Sequence, residues 1–239
     1  MLVTADALRP YLGRTWFLLF LGLELARRRK QVLFVSSSVW TDDLLGLDSL
    51  RGQETLLLER DYWGSMPNLM DYVHEPYPGF CYLGAPRTRR MENDDVRTIC
   101  TDSGYDVVIC QYRSTPGSVG YCLVPDNLQF LRNNEAAAVW HRACRPVVSG
   151  VPEELLTRER REMYASLLGP DVRFVRWDAR LSLVPCEREL LDYFRNEPSS
   201  GYLEDIRQVA DDLAPCEEVR ETVGPRRLWK RWVDKRHDE

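Results

Sequence analysis

The sequence predicts an α/β fold: a mainly parallel, doubly wound sheet of about seven strands, with helices on both faces. Three observations predict it. Short apolar runs of strand length alternate with helical patterns along most of the 239 residues, which is how βαβ units read in sequence. Several of those runs are apolar throughout, as expected of strands covered on both sides. The composition is 44% hydrophobic with seven Trp and 29% charged. It can fill a real core and excludes global disorder.

The elements follow in order. Residues 2–5, Leu-Val-Thr-Ala, read as the first strand. A tight loop over 9–15 leads into a helix over 16–26, apolar except for Glu24. That helix holds about ten apolar residues, well short of the ~20 a membrane span needs. Arg27-Arg28-Arg29-Lys30 follows it, a charge run suited to a helix C-terminus and unlike a signal-peptide cleavage site. Residues 32–35 form the second strand. Thr41 or Asp42 is placed to cap a leucine-rich helix over 41–50. Helices are expected over 68–74, 96–103, 128 to about 143, 153–168, 187–194 and 202–213. The remaining strands are expected over 79–83, 107–110, 121–124, 146–148 and 172–176. Asp106, opening the strand at 107, reads as a turn residue. Ligands in such sheets bind at the carboxyl ends of strands, near a topological switch point. That places the candidate site on the loops after residues 5, 35 and 110.

Charge and cysteine content narrow the function classes. The net charge of −5 argues against a general polyanion binder, so nucleic acid is not an expected partner. The seven Cys are odd in number, none pairs as C-x-x-C, and most lie in apolar runs. This pattern suits a reducing cytoplasm, with Cys acting as a small buried hydrophobe. The three His are scattered, so neither zinc nor any other metal is expected. Gly117-Ser118-Val119-Gly120 is not a nucleophile elbow, and Cys110 and Cys122 sit in expected buried strands, where thiols are inert.

The loop at 9–15 reads Arg9-Pro10-Tyr11-Leu12-Gly13-Arg14-Thr15. Strand, tight loop and helix is the setting of a phosphate-binding loop. Such a loop aims backbone N–H groups at phosphate oxygens and reaches the terminal phosphates with a Lys. Gly13 and Thr15 fit that pattern. Arg14 stands where the Lys is needed, and a planar fork is not a free substitute for a compact charge. Pro10 has no N–H to donate, and Tyr11 is bulky.

The pieces, in this order, resemble the MinD/ParA family of deviant-Walker P-loop ATPases, including its CpaE/TadZ branch. The residues that carry the resemblance are RPYLGRT, then Leu23-Glu24-Leu25-Ala26, Val32-Leu33-Phe34-Val35, Thr41-Asp42-Asp43-Leu44-Leu45-Gly46-Leu47, Asn68-Leu69-Met70-Asp71-Tyr72-Val73, Tyr82-Leu83-Gly84-Ala85-Pro86 and Tyr105-Asp106-Val107-Val108-Ile109. The resemblance implies a P-loop NTPase-like sheet over 1–215 with a degenerate nucleotide or anion site at Arg9, Gly13, Arg14, Thr15, Ser36, Ser38 and Gln111. In it Arg9 takes the place of the signature lysine and Arg14 that of the loop lysine. Ser36 and Ser38 take the place of aspartates after the second strand, and Gln111 that of the magnesium-linked aspartate. For the adenine-reading Asn the nearest residue is Ser149. Phosphoryl transfer needs Lys, Mg²⁺ and an Asp as its usual parts. ATP with Mg²⁺ is therefore disfavoured as a cofactor, none is expected, and no catalytic residue is assigned. Arg9 and Arg14 are read either as solvated charges or as groups that bind an anion or bridge a dimer. Thr15 reads as a helix N-terminal residue.

After Pro215 the composition shifts, and residues 216–239 read as a basic tail. Within it Arg226, Arg227, Lys230, Arg231, Lys235 and Arg236 face a single Asp234. This stretch carries +5, leaving −10 for the rest of a chain whose total is −5. At about 100° per residue, Leu228, Trp229, Trp232 and Val233 share one face, which is an interfacial amphipathic pattern. Packing on the body, an anionic membrane surface, and a protein or DNA partner are the three readings of it. The expectation is a cytoplasmic homodimer, a pseudo-ATPase adaptor of the TadZ/CpaE kind, engaging protein partners and peripheral at the inner face of the membrane. The alternatives are a divergent ATPase using Arg9 and Arg14, and a regulator that binds another anion.

Overall fold

A computed structural model describes residues 1–9, 11–36, 41, 44–45, 73–84, 99–101, 103–111, 117–133, 144–182, 189–196 and 199–215. Eight strands form one sheet: β1 (Leu2–Ala7), β2 (Val32–Ser36), β3 (His74–Tyr77), β4 (Phe80–Gly84), β5 (Val107–Cys110), β6 (Val119–Pro125), β7 (Arg145–Val151) and β8 (Arg173–Arg176). Their order is β3-β4-β2-β5-β1-β6-β7-β8. Every pairing is parallel except β3 with β4. The helices are α1 (Arg14–Arg27), α2 (Leu128–Asn133), α3 (Arg158–Leu168), α4 (Glu189–Asn196) and α5 (Gly201–Asp211), with single 3₁₀ turns at Glu153–Leu155 and Ala179–Ser182.

The α/β class and all seven expected strands are present. The eighth, β3, is a correction: His74, expected at the end of a helix, opens an edge strand that doubles back through Pro78 and Gly79 onto β4. The rest of that expected helix, 68–72, lies outside the described residues, as do most of 41–50, 96–98 and 134–143. The helix expected over 153–168 is two pieces. Thr157 accepts a hydrogen bond from the Arg160 backbone N–H and starts α3 afresh.

The sheet is covered on both sides, which is why its strands read as apolar runs. In β2, Val32 and Phe34 pack on the α1 side, while Leu33 and Val35 face Cys81, Leu83, Val108 and Cys110. Helix α1 is buried continuously from Phe17 to Ala26. Phe20 sits among Tyr193, Phe194 and Tyr202, so α4 and α5 cover the face of α1 turned from the sheet. Each such fully buried Leu or Phe contributes about 1.5–3 kcal/mol. Gly22 lets α1 settle on the sheet, because a Cβ there would stand 2.6 Å from Phe80 Cε2.

The one charge inside α1 is satisfied at once. Glu24 is 1% exposed and accepts from Arg27 at 2.8 Å and from Arg28 at 3.0 Å. Arg28 also donates to Asp211 and to the carbonyls of Arg207 and Ala214, riveting the end of α1 to α5. The basic run at 27–30 thus closes a helix end. Asp106 is structural as expected, its carboxylate accepting the Gln31 backbone N–H at 2.8 Å. Among the described residues no helix is long and apolar enough to cross a membrane.

Candidate functional site

The sheet order puts β2, β5 and β1 side by side, and the chain reverses direction across the sheet at β1. The loops after these three strands therefore meet at one carboxyl edge, where α/β sheets place ligands. Two groups of side chains gather there.

The first group belongs to the loop between β1 and α1. Leu8 continues the pairing with β6, its N–H donating to Leu123 O. Tyr11 and Gly13 both take positive φ, 64° and 74°. Glycine adopts this region freely, whereas tyrosine is strained there. The Tyr11 side chain is fully exposed. Gly13 is the N-cap of α1, and its carbonyl accepts from Phe17 N at 2.8 Å. Ser149, at the end of β7, donates its hydroxyl to the Leu12 carbonyl at 2.9 Å and ties the loop down. Arg9 lies over the Phe130 ring of α2, 3.9 Å from its centroid, a cation–π contact. Arg14 Nη1 stands 3.9 Å from the carboxylate of Asp6, a buried residue of β1. Both arginines thus have partners within the chain, Arg9 while exposed and Arg14 while partly exposed to solvent.

The second group is a network of neutral side chains centred on Gln111. Its backbone N–H donates to Val35 O, extending the β5–β2 ladder by one bond. Its side-chain Nε2 donates to Thr15 Oγ1 in the first turn of α1. Its Oε1 accepts from Ser36 Oγ at 2.6 Å and from Thr41 Oγ1 at 3.2 Å. The Ser36 and Thr41 hydroxyls lie 3.1 Å apart. Ser36 is 1% exposed and Thr41 fully buried, while Gln111 and Thr15 are partly exposed, so the network runs from the interior to the surface.

Of the seven residues expected at the site, the structure links Thr15, Ser36 and Gln111 directly. Arg9, Gly13 and Arg14 line the loop beside them, and Ser38 lies outside the described residues. So do Arg226, Arg227, Leu228, Trp229, Lys230, Arg231, Trp232 and Val233 of the tail. Three participants escaped the sequence reading. Asp6 was visible as a lone carboxylate in an apolar strand. Thr41 was seen only as a capping residue. Phe130 gave no signal, because its contact with Arg9 exists only in the folded chain.

Among the described residues, the donors around Thr15 differ from those that hold Mg²⁺ in a P-loop site. In P-loop sites a Ser or Thr and an Asp hold the ion, a hard cation that wants oxygen ligands in near-octahedral array. Here an amide N–H points at Thr15 Oγ1, so a donor hydrogen faces the oxygen the ion would need. Ser36, Thr41 and Gln111 offer it neutral oxygens already engaged with one another. Among the described residues no group of His, Cys, Asp and Glu is arranged to hold a metal ion. The thiols of Cys110 and Cys122, buried in β5 and β6, are equally quiet. Burial pushes Cys110 well above the ordinary thiol range, and burial followed by the neighbouring Cys144 and Asp6 does the same to Cys122.

No protein-family model matches this sequence, and no curated protein matches it. The solved structures do. The MinD cell division protein of Aquifex aeolicus superimposes with a TM-score of 0.64 at 13% identity, over 93% of this chain and 99% of that one. The fold is that of the MinD/ParA ATPases. The septum site-determining protein MinD of Pyrococcus horikoshii, solved with Mg-ADP, gives 0.59 at 13% identity over 93% and 99% of the two chains. A plasmid partition protein of Borrelia burgdorferi, solved with AMPPNP, gives 0.56 at 10% identity over 87% and 97%. Identities this low speak for the MinD/ParA fold, whereas what the site does must be argued from its residues.

Proposed function

We propose that this chain is a pseudo-ATPase with the MinD/ParA sheet, acting as a localisation or assembly adaptor of the TadZ/CpaE kind. One observation carries the reading: Gln111 joins Thr15 to Ser36 and Thr41 where the fold's active members need a cation. A neutral amide there does the mechanical job of a metal ion, holding the loop after β2 against the start of α1. It supplies none of the charge that phosphoryl transfer requires. The two arginines, one stacked on Phe130 and one turned to Asp6, are already occupied within the chain, which disfavours a divergent ATPase built on them. The functional surface is then the carboxyl edge itself. There the strained, exposed Tyr11 beside Arg9 offers residue types that dominate protein contacts.

A homodimer formed through this edge, cytoplasmic placement, and a role in pilus or secretion assembly belong to the same proposal and rest on the resemblance. In this reading residues 1–215 form the body, and 216–239 touch an anionic membrane from its inner face. Each basic residue near such a surface is worth about 1 kcal/mol, so binding is weak for one copy and stronger for a dimer. Calorimetric titration with ATP and Mg²⁺ tests the core of the proposal. No binding heat and no released phosphate are expected, and turnover that Arg14→Ala abolishes would defeat it. Co-sedimentation with phosphatidylserine vesicles tests the tail. Pelleting should drop in the Trp229→Ala/Trp232→Ala variant, and equal pelleting rejects the membrane role.

A further inference from the structure

We propose that Asp6 is a built-in counter-anion for the β1–α1 loop and that it sets the loop's selectivity against phosphate. The inference rests on the reading of the site as one that has given up nucleotide, and it adds a cause outside the loop itself. Strand β1 reads Leu-Val-Thr-Ala-Asp-Ala, and a carboxylate has no place in a central strand on hydrophobic grounds. Asp6 is 8% exposed and in register with Cys122 of β6, so it lies where the sheet meets the loop. A buried carboxylate is retained only when a cation or donors compensate its lost hydration. Arg14, the loop's residue best placed to grip a phosphate, turns its guanidinium to within 3.9 Å of that carboxylate.

A phosphate reaching Arg14 would enter the field of the Asp6 carboxylate. In a site of effective dielectric near 20, like charges several ångströms apart cost enough to lower affinity by about tenfold or more. Arg14 also loses its partner when a ligand draws it away. Asp6 thus works against anions twice, by repulsion and by competition. It acts through Arg14 and is a selectivity residue, not a catalytic one.

Titration of the full chain with pyrophosphate, metal-free and at low salt, reads this directly. Asp6→Asn should bind pyrophosphate at least about tenfold more tightly than wild type, and Asp6→Asn/Arg14→Ala should lose the gain. Equal affinity of wild type and Asp6→Asn, including no binding by either, overturns the proposal. A second variant does not depend on Asp6→Asn folding. Asp6→Glu keeps the charge and should bind pyrophosphate no more tightly than wild type; a gain there as large as the one expected for Asp6→Asn overturns the proposal as well. ATP turnover by the wild type would defeat the pseudo-ATPase reading while leaving the Asp6→Asn ratio to be read separately.

Discussion

Replacing Gln111 with Leu keeps roughly the same volume and removes three side-chain hydrogen bonds, to Thr15, Ser36 and Thr41. Their costs differ. Thr15 is half-exposed and can recover its bond from water. Ser36 and Thr41, buried at 1% and 0%, keep each other at 3.1 Å. Two hydroxyls share two hydrogens, and only one can donate within the pair. The other loses the Gln111 oxygen as its acceptor, at about 1 kcal/mol. For a chain of this size each kcal/mol lowers the thermal midpoint by about 2–4 °C. Urea denaturation followed by tryptophan fluorescence should show the shift in midpoint without a change in slope. The decisive arm is a double-mutant cycle. Ser36→Ala removes one of the two hydroxyls that bond the Gln111 oxygen, so Gln111→Leu/Ser36→Ala should cost less than the two single variants together, with a coupling of about 1 kcal/mol. Strict additivity would refute the claim that these side chains act as one unit.

Three further outcomes follow from the described contacts. Gly22→Ala brings a methyl group to 2.6 Å from Phe80 Cε2 and 3.1 Å from Ile109 Cδ1, both side chains fully buried. Overpacking at about 1–3 kcal/mol should outweigh the better helix propensity of Ala, seen as a lower denaturation midpoint. The Asp178 carboxylate is held below the usual range, first by Arg180 and then, against some desolvation, by Tyr193. A lowered acid stabilises above the unfolded value and loses that contribution as pH falls through the folded one. The stability gap between wild type and Asp178→Asn should therefore close as pH drops below about 4; a gap unchanged at pH 2–3 counts against the assignment. Native alkylation mapped by mass spectrometry should leave Cys110 and Cys122 unlabelled at pH 8, whereas half-exposed Cys100 and Cys144 react; prompt labelling of Cys110 would show that the sheet opens there.

What the sequence revealed depended on how local the cause was. The run Val32-Leu33-Phe34-Val35 announces β2 because both its faces are buried, and α1 announces itself by ten consecutive buried positions. Strand β3 did not, because His-Glu-Pro-Tyr is a short, half-exposed edge whose pairing is settled by β4. Its readable signal was the Pro78-Gly79 turn, with Gly79 at φ 78°. The break before α3 was readable too, since Thr157 with Glu159 behind it is a helix start. At the site, the altered residue types were legible and their partners were not. Ser36 and Gln111 are 75 positions apart, and only the β2–β5 pairing makes them neighbours. The partners of Arg9 and Arg14 were hidden in the same way, because Phe130 and Asp6 reach them only through the fold.

If the chain is the pseudo-ATPase proposed above, these partnerships bear on how the site could regain phosphoryl-transfer chemistry. Ser36→Asp alone would put a carboxylate at a position 1% exposed. There it faces the Gln111 oxygen, an acceptor, and the Thr41 hydroxyl. A buried carboxylate so placed takes up a proton or forces its surroundings apart. Gln111→Asp alone would withdraw the donor from Thr15 and set a shorter acid among hydroxyls that have no ion to share. Each change becomes favourable only when a cation is bound, and a cation binds only when both have been made. The neutral network and the metal-dependent one are therefore two self-consistent solutions separated by unfavourable intermediates. The same holds on the other side of the loop. Freeing Arg14 by removing Asp6 leaves Tyr11 at positive φ in the loop, and Tyr11→Gly leaves Arg14 still facing Asp6. In the pseudo-ATPase reading, such coupled contacts put the nucleotide chemistry out of reach of any one substitution.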